Sequence, residues 1–176
     1  LLHDIGKYSA GFQQRLQGGP PVDHSTAGAQ AAIQDGNIPA ALAIAGHHSG
    51  IPDLGNPHDT ADESTLVGRS KRRVEDCSQW KQEISPAKAA LPPWLLRQPD
   101  NLTMAFFTRM LYSSLVDADF IDTETFMDGK AAPRGMGEPL PALLEKVRAQ
   151  AKRYLDSPAA SPVAQERNIV LRACME

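Results

Sequence analysis

Five side chains in the first 48 residues have the types and spacing for metal chemistry. His3 and Asp4 are adjacent, an imidazole beside a carboxylate. On a helix, neighbours diverge by about 100°. A joint grip on one ion is therefore awkward, while one ligand each toward a pair of ions is natural. Lys7 stands at i+4 from His3 and i+3 from Asp4, so the three share a face. His24 and the pair His47-His48 add three imidazoles from two further helices. Nitrogen mixed with carboxylate suits a borderline transition ion such as Mn, Fe, Co, Ni or Zn. A lone His-Asp dipeptide is weak, and a double His is more often a solvated helix end. H-D-x-G-K, D-H-S, G-H-H-S-G and L-V-D-A-D in this order together favour a metal site over chance. The fifth histidine, His58, sits in a polar loop and is read as simply exposed.

A second carboxylate comes from the segment holding Asp117 and Asp119, of which only one can point inward. Asp119 lies at i+3 from Val116, i+4 from Leu115, i+8 from Leu111 and i+12 from Phe107, on the apolar stripe. Asp117 shares a mixed face with Phe106, Met110, Ser113 and Ser114. A carboxylate on a buried stripe is costly unless paired or metal-bound, so Asp119 is the expected ligand.

Helices must position these groups, because strand alternation is nearly absent. Residues 1 to 16 read as the end of one helix, stopped at Gly18-Gly19-Pro20-Pro21. Asp23 or Ser25 can cap a helix running to about Gln34. Ile38-Pro39 opens a third, with Pro in the tolerated first turn, ending near Ser49-Gly50. Residues 51 to 65 read as loop, and a short helix is expected around Glu75 to Ile84. Residues 85 to 100 hold Pro86, Pro92, Pro93 and Pro99 and read as broken. Residues 101 to 121 form the clearest helix, and 123 to 139 read as Gly/Pro-rich loop. Leu140 to Leu155 has the spacing of an amphipathic helix, Ser157 to Pro162 reads as a linker, and 163 to 175 as a last helix. The expected fold is all-α with long loops.

Composition bounds the rest. The 176 residues fit about one domain. With 41% hydrophobic and 22% charged residues, collagen, wholesale disorder and mucin-like stalks are excluded. Eighteen Lys+Arg against 21 Asp+Glu, a net charge of −3, exclude a uniformly basic binder but not local basic patches. No apolar run reaches membrane-spanning length, and no secretory signal is seen, so a cytoplasmic protein with no membrane partner is expected. Cys77 and Cys174 lie far apart and exclude a structural zinc finger. The chain opens on Leu1 with no initiator Met, which leads us to expect a fragment or processed product of a longer protein.

The segments Leu1-Leu2-His3-Asp4-Ile5-Gly6-Lys7, Asp23-His24-Ser25, Gly46-His47-His48-Ser49-Gly50 and Leu115-Val116-Asp117-Ala118-Asp119 resemble the HD superfamily. More narrowly, they resemble the HD nuclease domain of the CRISPR-associated helicase-nuclease of type I systems. The paired histidine is the most specific element. The resemblance spans residues 1 to 124, and the tail from Pro162 to Cys174 resembles the segment joining that domain to its helicase. It implies an HD-type helical bundle over 1–156, lacking its first helix, with 157–176 as linker and helix toward a helicase domain.

The resemblance also implies roles. His3 and Asp119 bind a first metal, Asp4 bridges both, and His24, His47 and His48 bind the second. Lys7 meets the substrate phosphate, and Asp4 and Lys7 are the catalytic pair. The family carries a further histidine on a preceding helix, which is expected to lie outside this sequence. The cofactors implied are two divalent metals, Mn, Co, Ni, Fe or Mg. Two ions about 3.5–4 Å apart clamp the attacking and leaving oxygens of an in-line displacement on phosphorus. The implied activity is cleavage of single-stranded DNA in antiviral interference, with a helicase domain and a CRISPR RNA-guided surveillance complex as partners. Two alternatives are an HD phosphohydrolase acting on nucleotides or cyclic dinucleotides, and a silent docking module.

A basic run, Arg69, Lys71, Arg72 and Arg73, followed by Trp80 and Trp94, is the sequence's candidate nucleic-acid track. Cations with aromatic platforms are what non-specific single-strand binding uses. The plainer alternative is a solvated basic loop with both tryptophans in the core.

Overall fold

A computed structural model describes residues 1–86, 91–97, 100–130, 137–157 and 161–175. Pro99, parts of the broken stretch 85–100 and of the linker 157–162, and most of 131–139 lie partly or wholly outside the described residues. All regular structure among the described residues is helical, as the patterning predicts. Two compact units are formed, Leu1–Ala131 and Ala132–Glu176. The amphipathic segment grouped above with residues 1–156 belongs to the second unit.

In the first unit, a tight 3-10 segment, Leu2–Tyr8, precedes α1, Ala10–Leu16. Sequence spacing reads one helix here, but Ser9 is extended (φ −68°, ψ 149°) and breaks it. The Ser9 hydroxyl then accepts from the Phe12 N–H at 3.3 Å and caps α1. The break matters because a 3-10 turn eclipses residues i and i+3, which stacks Lys7 over Asp4.

Helix α2, Ser25–Gln34, starts where Asp23 accepts from the N–H groups of Ser25 (3.0 Å) and Thr26 (3.1 Å). Helix α3, Ile38–Gly46, is capped by Asn37, which accepts from the Ala40 N–H at 3.1 Å. Their contact is lined by small residues: Ala29, Ala32, Ala41 and Ala45 are buried with Ile44 and Leu66. Short side chains let the backbones approach closely, and Leu2 and Leu115 pack against the rim.

Gly6 and Gly28 set how the 3-10 segment meets α2. A Cβ on Gly6 would run into the His24 backbone, and one on Gly28 into the Leu2 carbonyl. These close approaches carry His3 and Asp4 to the start of α2, where His24 lies.

A short α4, Leu66–Ser70, follows the 51–65 loop and was not expected from the sequence. Its start is local: the Thr65 hydroxyl accepts from the Gly68 N–H at 3.0 Å. The helix expected around 75–84 is confined to α5, Trp80–Glu83. Helix α6, Asn101–Asp128, begins at a strong cap, with Asp100 accepting from the Thr103 N–H at 2.6 Å. It runs past the expected end at 121 and stops only at Gly129, whose left-handed φ of 68° caps it. α6 packs on α3 through its Leu111/Leu115 side, while Phe106 and Met110 on the mixed face stay exposed.

The second unit holds α7, Leu140–Asp156, packed with α8, Pro162–Met175. Ala151 is its buried residue among those described, and Leu140, Leu144 and Val147 remain exposed. No described helix is long and apolar enough to cross a membrane. Both cysteines are free.

Candidate metal centre

The end of α3, the start of α2, the 3-10 segment and the middle of α6 converge on Asp4. Two triads meet there, His3/Asp4/Asp119 and His24/His47/His48, with the ligand atoms of each within 4.8 Å of one another. His3 Nε2 lies 3.2 Å from Asp4 Oδ2 and 3.4 Å from Asp119 Oδ1. The other Asp4 oxygen, Oδ1, faces His24 Nε2 at 3.5 Å and His47 Nε2 at 3.9 Å. One carboxylate thus presents an oxygen to each triad, and Asp119 is the inward member of the Asp117/Asp119 pair.

His47 is the most constrained of the candidate ligands. Its Nδ1 lies 2.7 Å from the Ile44 carbonyl oxygen. A carbonyl only accepts, so the proton sits on Nδ1 and the lone pair on Nε2. That Nε2 is buried and has no hydrogen-bond partner. It faces Asp4 Oδ1, another buried acceptor without a hydrogen bond. Two acceptors turned toward each other away from water are costly, and a cation between them would remove that cost. Both ring nitrogens of His3 are likewise buried without hydrogen bonds. His24 and His48 bring their Nε2 atoms to 3.1 Å, the same convergence at the exposed rim.

The protonation states fit this arrangement. Burial lowers the His24 imidazole to about 4; the Asp4 charge opposes the shift, and His47 and His48 reinforce it. Burial also pushes His47 down, against its bond to Ile44. Both rings are therefore neutral near pH 7, the form that binds a metal. Burial pushes the Asp4 carboxyl up, but His3 and Lys7 overcome it and hold it well below the usual range. The donor set of imidazoles and carboxylates is that of a borderline transition ion, and the orphaned buried atoms point to the places such ions fit.

Lys7 donates to Asp4 Oδ2 at 2.7 Å. At this centre it neutralises the carboxylate, and a cation arriving at the first triad competes with it for the same oxygen.

Behind the ligands stands a frame that spacing alone does not reveal. Besides its backbone bonds, Asp23 accepts from the Thr26 hydroxyl at 2.6 Å and the Ser25 hydroxyl at 3.0 Å. The guanidinium groups of Arg69 and Arg72 reach its Oδ2 at 3.4 and 3.2 Å. Burial raises the Asp23 carboxyl, but the Thr26 and Ser25 bonds and the Arg69 charge prevail and bring it to about 2. The His24 backbone is pinned between this cluster and Gly6. The D-H-S motif carried a signal for this, since Asp before a helix start is a cap; its arginine partners, 46 and 49 residues away, had none.

The same contacts recast the basic run. Arg69 is held by Asp23, Ser25 and Thr26. Lys71 donates to the carbonyls of Pro57 (2.7 Å) and Asp59 (2.5 Å). Arg72 also donates to the carbonyls of Ala61 and Glu63. Arg69 and Arg72 thus tie this loop to the start of α2, Lys71 closes the loop on itself, and Arg73 is the exposed member without a partner among the described residues. Trp80 lies under the Lys81 ammonium at 5.8 Å, and Trp94 packs edge-on against Phe107 at 5.7 Å. His58 is exposed, as expected.

Compared with known proteins, the chain matches no family model, no curated protein and no solved structure.

Proposed function

We propose that this chain is an HD-type, metal-dependent nuclease domain that hydrolyses phosphodiester bonds of single-stranded DNA. The observation that carries the reading is the meeting of two ligand triads at Asp4, with the His47 Nε2 lone pair buried and unpaired. The ordered motifs that resemble the HD nuclease of the CRISPR-associated helicase-nuclease supply the substrate class. The all-helical fold is consistent with it.

In this reading His3, Asp4 and Asp119 would hold one divalent ion, and His24, His47 and His48, beside Asp4, would hold the other. Two such ions would supply Lewis-acid charge for an in-line displacement on phosphorus. The chain's own groups do the rest. Ile44 fixes the His47 tautomer. The Asp23–Arg69–Arg72 cluster holds the start of α2, and with it His24. Lys7 brings a cation to the edge of the centre, where it can leave Asp4 for a phosphoryl oxygen as charge grows there. Ser25 is engaged by Asp23 and Arg69, so its hydroxyl is held as part of the α2 start and not as a nucleophile. A helicase and an RNA-guided surveillance complex belong to the same proposal as partners that deliver the strand.

The test is direct. Purified protein supplied with Mn, Co or Ni is expected to degrade single-stranded DNA. Asp4→Ala and His47→Ala are each expected to abolish cleavage while helical circular dichroism is kept. Full activity of Asp4→Ala overturns the reading.

A further inference from the structure

The sequence's candidate track for nucleic acid is largely spent on internal bonds, which leaves open what else on the first unit could grip a strand. A cleft of about 700 Å³ lies between α3, the loop at 51–53 and the first half of α6. Its position relative to the metal centre follows from the chain. The loop wall, Ile51-Pro52-Asp53, comes directly after His47-His48-Ser49-Gly50. The helix wall belongs to the helix that carries Asp119. Asn101, Thr108 and Tyr112 precede Asp119 by 18, 11 and 7 residues, so at about 100° per residue they fall within about 20° of it on the helix. Tyr112 is about 10 Å from Asp119 along the axis. The cleft therefore lies on the face of α6 that carries Asp119, and ends about two turns before it.

The chemistry of the walls is mixed. Leu42, Ile51 and Met104 are apolar, and Tyr112 adds a half-buried ring. Arg109, one turn from Tyr112, is exposed, and its guanidinium has no partner among the described residues. Asp53 faces the same cleft; its side chain is exposed and also without a partner among them. A lone cation and a lone carboxylate on one apolar cleft match a ligand with an anionic part, a flat apolar part and a hydrogen-bond donor. A nucleotide has all three. The aromatic face stacks a base, Arg109 meets a phosphate, and Asp53, an acceptor only, meets the N–H groups of a base edge. The repulsion between Asp53 and a phosphate fixes the polarity: backbone on the Arg109 side, base toward Asp53.

We propose that this cleft is a binding subsite for a nucleotide of the single strand, flanking the bond that is cut at the metal centre. Tyr112 is its stacking platform and Arg109 its phosphate contact. The inference rests on the nuclease reading for the identity of the strand, but its test does not use hydrolysis.

The experiment is fluorescence anisotropy of a short labelled single-stranded DNA of mixed sequence, on the full chain in EDTA, over a salt series. Tyr112→Ala is expected to weaken binding about tenfold, and Tyr112→Phe, which keeps the ring, to leave it unchanged. Arg109→Ala is expected to lower the salt slope by about 0.7, the loss of one single-strand phosphate contact. A free mononucleotide is expected not to displace the strand at comparable concentration. Folding of each variant is checked by circular dichroism; both positions are on the surface of α6. Unchanged affinity and salt slope in both Tyr112→Ala and Arg109→Ala overturn the proposal, as does displacement by an equal concentration of mononucleotide. Absence of cleavage by a metal-loaded wild type that still shows these binding losses would overturn the nuclease reading and leave the subsite standing.

Discussion

His47 donates from Nδ1 to the Ile44 carbonyl at 2.7 Å, and this bond aims its unprotonated Nε2 at Asp4. A ring oriented from behind by a backbone carbonyl is how metal-binding histidines are held in a single tautomer. It also leaves a buried lone pair that a bound cation would satisfy in place. Metal should therefore stabilise the fold. At a free concentration 100 times its dissociation constant, one ion adds about 2.7 kcal/mol, and the melting temperature in excess Mn is expected to rise by several degrees. The His47→Ala protein should lose most of that rise, which differential scanning calorimetry measures.

Lys7 and the first metal compete for Asp4 Oδ2. Lys7→Met removes the competing ammonium, so metal affinity at the His3/Asp4/Asp119 triad is expected to increase about tenfold by isothermal titration calorimetry. If the nuclease proposal holds, DNA cleavage should fall in the same variant, because Lys7 is the cation it assigns to the phosphoryl oxygen. Weaker metal binding in Lys7→Met would show that Lys7 supports the triad rather than opposing it.

Asp23 gives a pH signature. Its carboxyl titrates at about 2 in the fold against 3.8 in the free amino acid side chain. A depressed folded value means stability that is complete above the unfolded value and is lost as pH falls from about 4 toward 2. Asp23→Asn should flatten the acid limb of the stability curve over that window, measured by urea melts, and lower stability at neutral pH. An unaltered acid limb would mean that the cluster with Thr26, Arg69 and Arg72 is not a stabilising unit.

Gly6 is predicted to tolerate no side chain. Its Cβ would meet the His24 backbone rather than a movable side-chain tip, and overpacking of this kind costs roughly 1–3 kcal/mol. Gly6→Ala should lower the unfolding free energy from urea melts by that amount and weaken metal binding, since His3 and Asp4 ride on the same segment. By contrast, Ala substitution at exposed His58 should change neither.

These relationships show how far the sequence could be read. The convergent candidate ligands were legible because each lies in a short local pattern, and Asp119 was separable from Asp117 because the periodicity of α6 puts it on the Leu111/Leu115 stripe. Helix starts at Asp23, Asn37-Ile38-Pro39 and Asp100 follow from capping chemistry that spans three or four residues. The 3-10 form of Leu2–Tyr8 was not legible, because it depends on how closely Gly6 approaches the His24 backbone, a contact across 18 residues. The purpose of Arg69, Lys71 and Arg72 was hidden for the same reason. In the sequence they form a cationic run, and only the folded loop reveals that their partners are Asp23 and the carbonyls of 57–63. Helix α4 was missed because its cap, Thr65, sits at the end of a segment rich in turn residues.

The central claim is a two-ion centre joined by Asp4, and metal content per chain tests it most directly. Protein equilibrated with Mn and freed of excess ion is expected to hold two ions per chain by elemental analysis. His47→Ala should hold about one, because the His3/Asp4/Asp119 triad survives, and Asp4→Ala fewer than the wild type at both triads. A wild type that retains no metal, or an Asp4→Ala protein that retains two ions, would contradict the account.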